Sequence, residues 1–207
     1  MLLQGSLLDL DDTLAFAPLL GLRRTSLEHG AWVDHLPAWV SGTSELFEQL
    51  LVDVPWRAEK RLMYDRVLDV PRLTRFYAAG ERLPHPALET ARDALSAHYG
   101  NELGEPFVSA GMCLYRNAHD SVAWHGDREG RAHVQDTMVA ILSLGTARTL
   151  ALRERGGGAT KHRFELGHGD LVVMGGSCQR TWDHAVPKAA GQLGPRISVQ
   201  FRTAGVR

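Results

Sequence analysis

The second half of the chain is written in strand-sized pieces. From about residue 107 onward, "FVSAGMCLY", "TMVAILSL", "ARTLALR", "KHRFEL", "DLVVM", "QRTWDH" and "RISVQFR" are runs of five to nine residues rich in strand-forming side chains. Gly-rich breaks such as "RGGG" and "MGGS" separate several of them. Many short strands in succession, turned by glycine, pack as a sandwich, jelly roll or barrel. That pattern constrains the chain more than any other feature.

The first half reads differently. In "SGTSELFEQLLVDVPW", Leu46, Phe47, Leu50, Leu51 and Val54 recur at helical spacing behind Ser/Thr cap candidates, and Pro55 stops the pattern. In "LPHPALETARDALSAHYG", Pro86 suits a first helical turn, Leu88, Ala91, Leu95 and Tyr99 form an apolar stripe, and Gly100 fits the stop. The expected class is therefore α+β, a mainly helical layer over residues 41–106 packed on a β core over 107–207. At 207 residues, one domain over 1–207 is expected. Residues 1–40 stay outside this scheme: "LEHGAWVDHLPAWV" fits a lid, a partner surface or simple packing equally well.

Composition narrows the setting. With 44% apolar and 23% charged residues this is an ordinary globular chain, and no apolar run is long enough to span a bilayer. The start, "MLLQGSLLDLDD", lacks the basic region of a secretory signal. Two cysteines, Cys113 and Cys178, read as free thiols in a reducing compartment, which makes the expected location cytoplasmic. A monomer with no membrane contact is expected. A net charge of −1 makes no global case for nucleic acid. Locally, residues 56–82 hold seven Lys/Arg against four Asp/Glu with aromatics interleaved, a composition suited to phosphate contact and base stacking, although on this stretch alone a solvated surface with ordinary core aromatics is the favoured reading.

The tripeptide His-Gly-Asp occurs twice, at His125–Asp127 and at His168–Asp170. On a strand, residues i and i+2 share a face, so His-x-Asp offers a nitrogen and an oxygen to one point. Iron(II) oxygenases commonly use two His and one carboxylate on one face of an octahedron. The first copy follows the strand-like "DSVAW"; the second is flanked by Gly167 and Gly169, which favour a tight turn. A third ligand must come from elsewhere. His184 lies 59 residues after His125, enough chain to cross a jelly roll and return, while His168 is a competitor. Chance weighs against the motif alone, since ten histidines make His-x-Asp easy to find.

A second pattern strengthens the first. In "GPRISVQFRT", Arg196 and Arg202 are six apart and so face the same side of a strand. Their Cα atoms lie about 20 Å apart at roughly 3.3 Å per residue. Two guanidiniums reaching inward leave a gap that fits a short dicarboxylate, which their donor forks suit.

Taken together, "VPRLTRFYA", "CLYRNAHDSVAWHGDRE", "ILSLGTARTLALR", "LGHGDLVVMGG", "TWDHAVPK" and "PRISVQFRT" resemble the AlkB family of Fe(II)- and 2-oxoglutarate-dependent nucleic-acid dealkylases. The resemblance runs from roughly residue 40 to the C-terminus. It implies a double-stranded β-helix (jelly-roll) core with N-terminal helices, and Fe(II), 2-oxoglutarate and O2 as cofactor and co-substrates. His125, Asp127 and His184 match the iron ligands. Arg196, Arg202 and Tyr115 match residues that bind 2-oxoglutarate. Two positions depart from the family: its co-substrate asparagines are replaced by Cys113 and Ser198, of which Ser198 retains more hydrogen-bonding capacity. Glu129 matches an acidic position near the target base, Arg72 and Tyr77 a stretch over the substrate groove, and Arg153 a residue facing the nucleic-acid backbone. Trp124 and Trp182, beside two ligands, read as core. The family carries a structural turn where His168 stands.

The implied activity is oxidative demethylation of 1-methyladenine and 3-methylcytosine in DNA or RNA, with hydroxylation of the N-methyl carbon and loss of formaldehyde. The target base is flipped or already single-stranded. Two alternatives remain open at this level: a hydroxylase of the same cofactor class acting on a protein or metabolite, and a non-catalytic jelly-roll binding module.

Overall fold

The computed structural model describes residues 13–63, 66–127 and 130–206. The chain opens with β1 (Ala15–Phe16), β2 (Arg23–Ser26), β3 (Ala31–Leu36) and β4 (Val40–Ser41), followed by α1 (Ser44–Asp53). A long hairpin, β5 (Arg57–Met63) and β6 (Arg66–Tyr77), leads to α2 (Pro86–Leu103). Then come β7 (Ser109–Tyr115), β8 (Val122–His125), β9 (Val139–Gly145), β10 (Arg148–Glu154), β11 (His162–Leu166) and β12 (Asp170–Gly176). The short helix α3 (Cys178–Thr181), β13 (Trp182–Val186) and β14 (Arg196–Arg202) complete it.

The larger sheet has the order β2-β3-β12-β9-β14-β7-β6-β5, the smaller β11-β10-β13-β8, and every pairing is antiparallel. Alternation along the central strands explains the layering. Val139, Ile141, Val172 and Met174 point to a core shared with Leu150, Leu152, Leu166, Trp182 and Val186 of the smaller sheet. Their neighbours Ala140, Leu142, Leu171 and Val173 point the other way, onto Leu46, Phe47 and Leu50 of α1 and Leu88, Ala91 and Leu95 of α2. The central strands of the larger sheet are thus buried on both faces, which is why they read as near-continuous apolar runs. The architecture is α+β with a jelly-roll core, as expected.

Three expectations need correction. Residues 41–106 are not mainly helical: α1 and α2 flank the β5–β6 hairpin, which extends the larger sheet by two strands. Its basic and polar side chains obscure the strand pattern. The α2 stop is Gly104, not Gly100; Gly104 takes φ +75° and returns its N–H to the Gly100 carbonyl. Thr43, a cap candidate for α1, makes no cap bond, because its hydroxyl is engaged by His168. Within the first forty residues, "AWVDHL" is strand β3, paired along β12, and Trp39 is wholly buried. That segment is packing.

Candidate metal centre

β8 and β13 pair directly, and the pairing sets His125 opposite His184. Cross-strand partners carry their Cβ atoms within about 5 Å, and the two imidazole centroids here lie 4.3 Å apart. Asp127 lies just past the end of β8. The strand argument therefore holds for His125 only, and the loop brings the carboxylate round. Asp127 Oδ1 comes 3.5 Å from His125 Nε2. One ligand atom from each of His125, Asp127 and His184 falls within 4.8 Å of the others, a set that could hold a metal ion.

Neighbouring groups orient these ligands. His125 donates its Nδ1–H to the carbonyl of Ala123 at 2.8 Å, which leaves the Nε2 lone pair for a metal. Asp127 donates its backbone N–H to Gln179 Oε1 at 3.0 Å, and its Oδ2 accepts from Arg202 Nη2 at 2.6 Å and Nε at 2.9 Å. Burial works against the Asp127 charge. Arg202, His184 and His125 outweigh it and hold the carboxyl well below the usual carboxylate range.

The second His-Gly-Asp is spent elsewhere. His168 Nδ1 accepts the Gly145 N–H at 2.7 Å, so Nε2 carries the proton and donates to Thr43 Oγ1 at 2.6 Å. Neither nitrogen is left for a metal. Asp170 accepts the backbone N–H groups of Ala38 and Gly167, each at 2.7 Å. Gly169 has φ +83°, and a Cβ there would meet the Val40 carbonyl at 2.0 Å. This copy is a turn.

A cavity of about 560 Å³ opens beside the ligands between the two sheets. Tyr115, Arg196, Ser198 and Arg202 all line it, as do Arg72 and Cys113. Arg196 gives its Nε to Ser143 Oγ at 3.0 Å, while its Nη1 is buried with no hydrogen-bond partner. Burial pulls this guanidinium below its ordinary pKa. A buried cation with an unused donor fits an anionic ligand, and two His with one carboxylate fit iron(II). Burial pushes the Tyr115 hydroxyl up to about 12, against the pull of Arg196, Arg72 and Arg148. The two arginines read as a pair from their spacing do different things: Arg196 faces the cavity alone, while Arg202 also clamps Asp127.

The residues read as substrate-binding disperse. Arg72 reaches the cavity wall, its Nη1 3.4 Å from the Ser121 carbonyl. Tyr77, an odd number of steps away on β6, takes the other face and is buried in the helix-side core. Arg153 lies outside the cavity lining, with its guanidinium 4.4 Å from the Trp124 ring and 3.8 Å from Asp183. Trp182 is core, but Trp124 is half-exposed and carries Arg153. Glu129 lies outside the described residues. Sequence reading missed Gln179, which accepts the Asp127 N–H, and two residues of the cavity lining, Gln200 and Glu59. Only Gln200 carried a signal, its even spacing from Arg196 and Arg202. Both cysteines are free and buried, and burial raises the Cys178 thiol to about 12, so neither is a disulfide partner.

Fold and site together define a jelly roll with a His-His-Asp cluster that could hold a metal, beside an arginine-lined cavity that fits an acidic ligand. Residues 39–202 match the family model of the 2OG-Fe(II) oxygenase superfamily, and the chain belongs to that superfamily. Within it the likeness is to AlkB-type dioxygenases. The chain is 35% identical over 183 residues to the alpha-ketoglutarate-dependent dioxygenase alkB homolog 3 of Homo sapiens, covering 76% of this chain and 60% of that protein. It is 32% identical over 133 residues to the DNA oxidative demethylase ALKBH2 of Arabidopsis thaliana, covering 54% of this chain and 42% of that one. The chain thus spans about 60% or less of the length of these relatives. The solved structure of OsALKBH1 shares the fold at a TM-score of 0.58 and 12% identity, covering 87% of this chain and all of that one. Among the described residues no helix is long and apolar enough to cross a membrane.

Proposed function

We propose that the protein removes N-linked methyl groups from nucleobases, 1-methyladenine and 3-methylcytosine, in DNA or RNA, by Fe(II)- and 2-oxoglutarate-dependent oxidation. The observation that carries the reading is the juxtaposition of two features. The His125–Asp127–His184 cluster opens into the same cavity that ends on the unpartnered Nη1 of Arg196.

His125, Asp127 and His184 would hold the metal. Arg196, with Tyr115 and Ser198 beside it, would hold the dicarboxylate. With both bound, such a centre supplies the O2-dependent hydroxylation of an unactivated C–H bond. The chain's own contribution is positional. Arg202 and Gln179 fix the Asp127 carboxylate and its loop. The Ala123 carbonyl fixes the His125 tautomer. Nucleic acid as the substrate is supported by the similarity to proteins named as DNA oxidative demethylases. The Arg153–Trp124 pair supports it too, standing next to both histidine ligands in sequence or register and presenting a cation over an aromatic face. Glu129 is proposed to face the cationic base.

Purified protein with Fe(II), ascorbate and 2-oxoglutarate is expected to release formaldehyde from a 3-methylcytosine oligonucleotide. A panel of methylated and etheno-adduct bases in single- and double-stranded DNA and RNA then sets the preference. Release that survives His125→Ala, or that needs no 2-oxoglutarate, would sink the proposal.

A further inference from the structure

On β14, Gln200 continues the even-numbered face that carries Arg196, Ser198 and Arg202, and it too lines the cavity. Its carboxamide is engaged at both ends. Nε2 donates to Ser198 Oγ at 2.8 Å and lies 3.5 Å from Cys113 Sγ; Oε1 accepts from Arg202 Nη2 at 2.8 Å. The same Nη2 donates to Asp127 Oδ2. A continuous chain of hydrogen bonds therefore runs from the metal-ligand carboxylate through Arg202 and Gln200 to Ser198.

The direction of these bonds matters. A carboxamide nitrogen only donates, so Ser198 Oγ must accept from Gln200, and its own proton is turned away from Gln200. Ser198 stands two residues from Arg196 on the same face, so that proton is available to an anion held at Arg196. At the other end, the carboxamide oxygen only accepts, which fixes the rotamer of Arg202 against Asp127. The backbone makes room for the arrangement. Gly111 lies opposite Gln200 on β7, and a Cβ there would come 2.6 Å from Arg202 Nη1 and 3.3 Å from Gln200 Oε1.

We infer that Gln200 is a positioning residue that couples the two halves of the site, orienting the Ser198 hydroxyl as a donor to the dicarboxylate at Arg196 while holding Arg202 on the metal ligand Asp127. The inference rests on the cavity being the 2-oxoglutarate site and is independent of which molecule is oxidised. It gives a physical account of how a pocket with Cys113 and Ser198 in place of amide side chains still presents an ordered donor. The amide is supplied from two residues further along the strand.

The test is a calorimetric titration of 2-oxoglutarate into Mn(II)-loaded protein, a readout that needs no turnover and no nucleic acid. Gln200→Glu is nearly isosteric. It still accepts from Arg202, but it accepts from Ser198 as well, which reverses the hydroxyl and sets a negative charge near the ligand carboxylate. Its 2-oxoglutarate Kd is expected to rise by roughly ten- to a hundredfold, the effect of losing a hydrogen bond to a charged group, while Mn(II) affinity is retained. Gln200→Leu, which releases both ends, is expected to weaken Mn(II) and 2-oxoglutarate together. Gly111→Ala keeps Gln200 and displaces it with Arg202; it is expected to raise both dissociation constants without removing a donor. Wild-type 2-oxoglutarate affinity in folded Gln200→Glu would overturn the inference, even if its thermal stability has dropped. Wild-type protein that takes up Mn(II) but not 2-oxoglutarate would overturn the reading of the cavity and the inference with it. Failure of formaldehyde release alone touches only the choice of substrate.

Discussion

Arg202 closes on a single oxygen of Asp127. Its Nε and Nη2 both go to Oδ2, at 2.9 and 2.6 Å, and Oδ1 is left on the side of His125. The carboxylate is thereby divided, one oxygen for the protein and one for a metal. Replacing Arg202 with Leu leaves a buried charge uncompensated, which costs on the order of 3–5 kcal/mol. Chemical denaturation of the metal-free variant should show a loss of that size, and Mn(II) affinity should fall roughly ten- to a hundredfold.

The two His-Gly-Asp copies separate under mutation. Asp127→Ala removes a metal ligand and is expected to abolish Mn(II) binding in an anaerobic titration. Asp170→Ala orphans the Ala38 and Gly167 N–H groups. That variant should lose roughly 1–3 kcal/mol per orphaned donor and keep its metal affinity. Metal loss in Asp170→Ala at a temperature where it remains folded would contradict the assignment.

Stability should depend on pH at both extremes, with opposite signs. The folded carboxyl of Asp127 is depressed. Its contribution is complete above the ordinary carboxylate pKa of about 3.9 and is lost as pH falls through the lower folded value. Tyr115 is raised from 10 to about 12, chiefly by burial. Its contribution is complete below pH 10 and is lost as pH rises toward 12, because the unfolded chain ionises first. The alkaline loss is on the order of 2–3 kcal/mol. Denaturation midpoints measured across this range should fall less steeply in Tyr115→Phe than in the wild type.

Arg153 offers a test confined to the nucleic acid. Arg153→Ala is expected to weaken binding of a 3-methylcytosine oligonucleotide and to reduce the salt dependence of that binding by about one unit of slope. Its 2-oxoglutarate affinity should stay at the wild-type value, since Arg153 does not line the cavity. An unchanged salt slope in a fluorescence-anisotropy titration would remove Arg153 from the nucleic-acid face.

Local rules were enough for much of this. Short runs of strand-forming residues and glycine breaks announced the β core, and helical spacing announced α1 and α2, because each depends only on residues near in sequence. The turn at Gly169 was legible for the same reason. So were the His125-x-Asp127 motif and the even spacing of Arg196 and Arg202. What those letters could not carry was pairing. The β5–β6 hairpin is amphipathic in neither simple pattern, and only its union with β7 made it sheet. That His184 completes the cluster follows from β13 lying beside β8, a contact between segments far apart in the chain. That Arg202 serves Asp127 while Arg196 is left for a ligand, and that Gln200 joins them to Ser198, depends on which side chains a folded jelly roll brings within 3 Å of one another. Spacing along a strand sets the face on which a residue stands; its partner there is set by the fold.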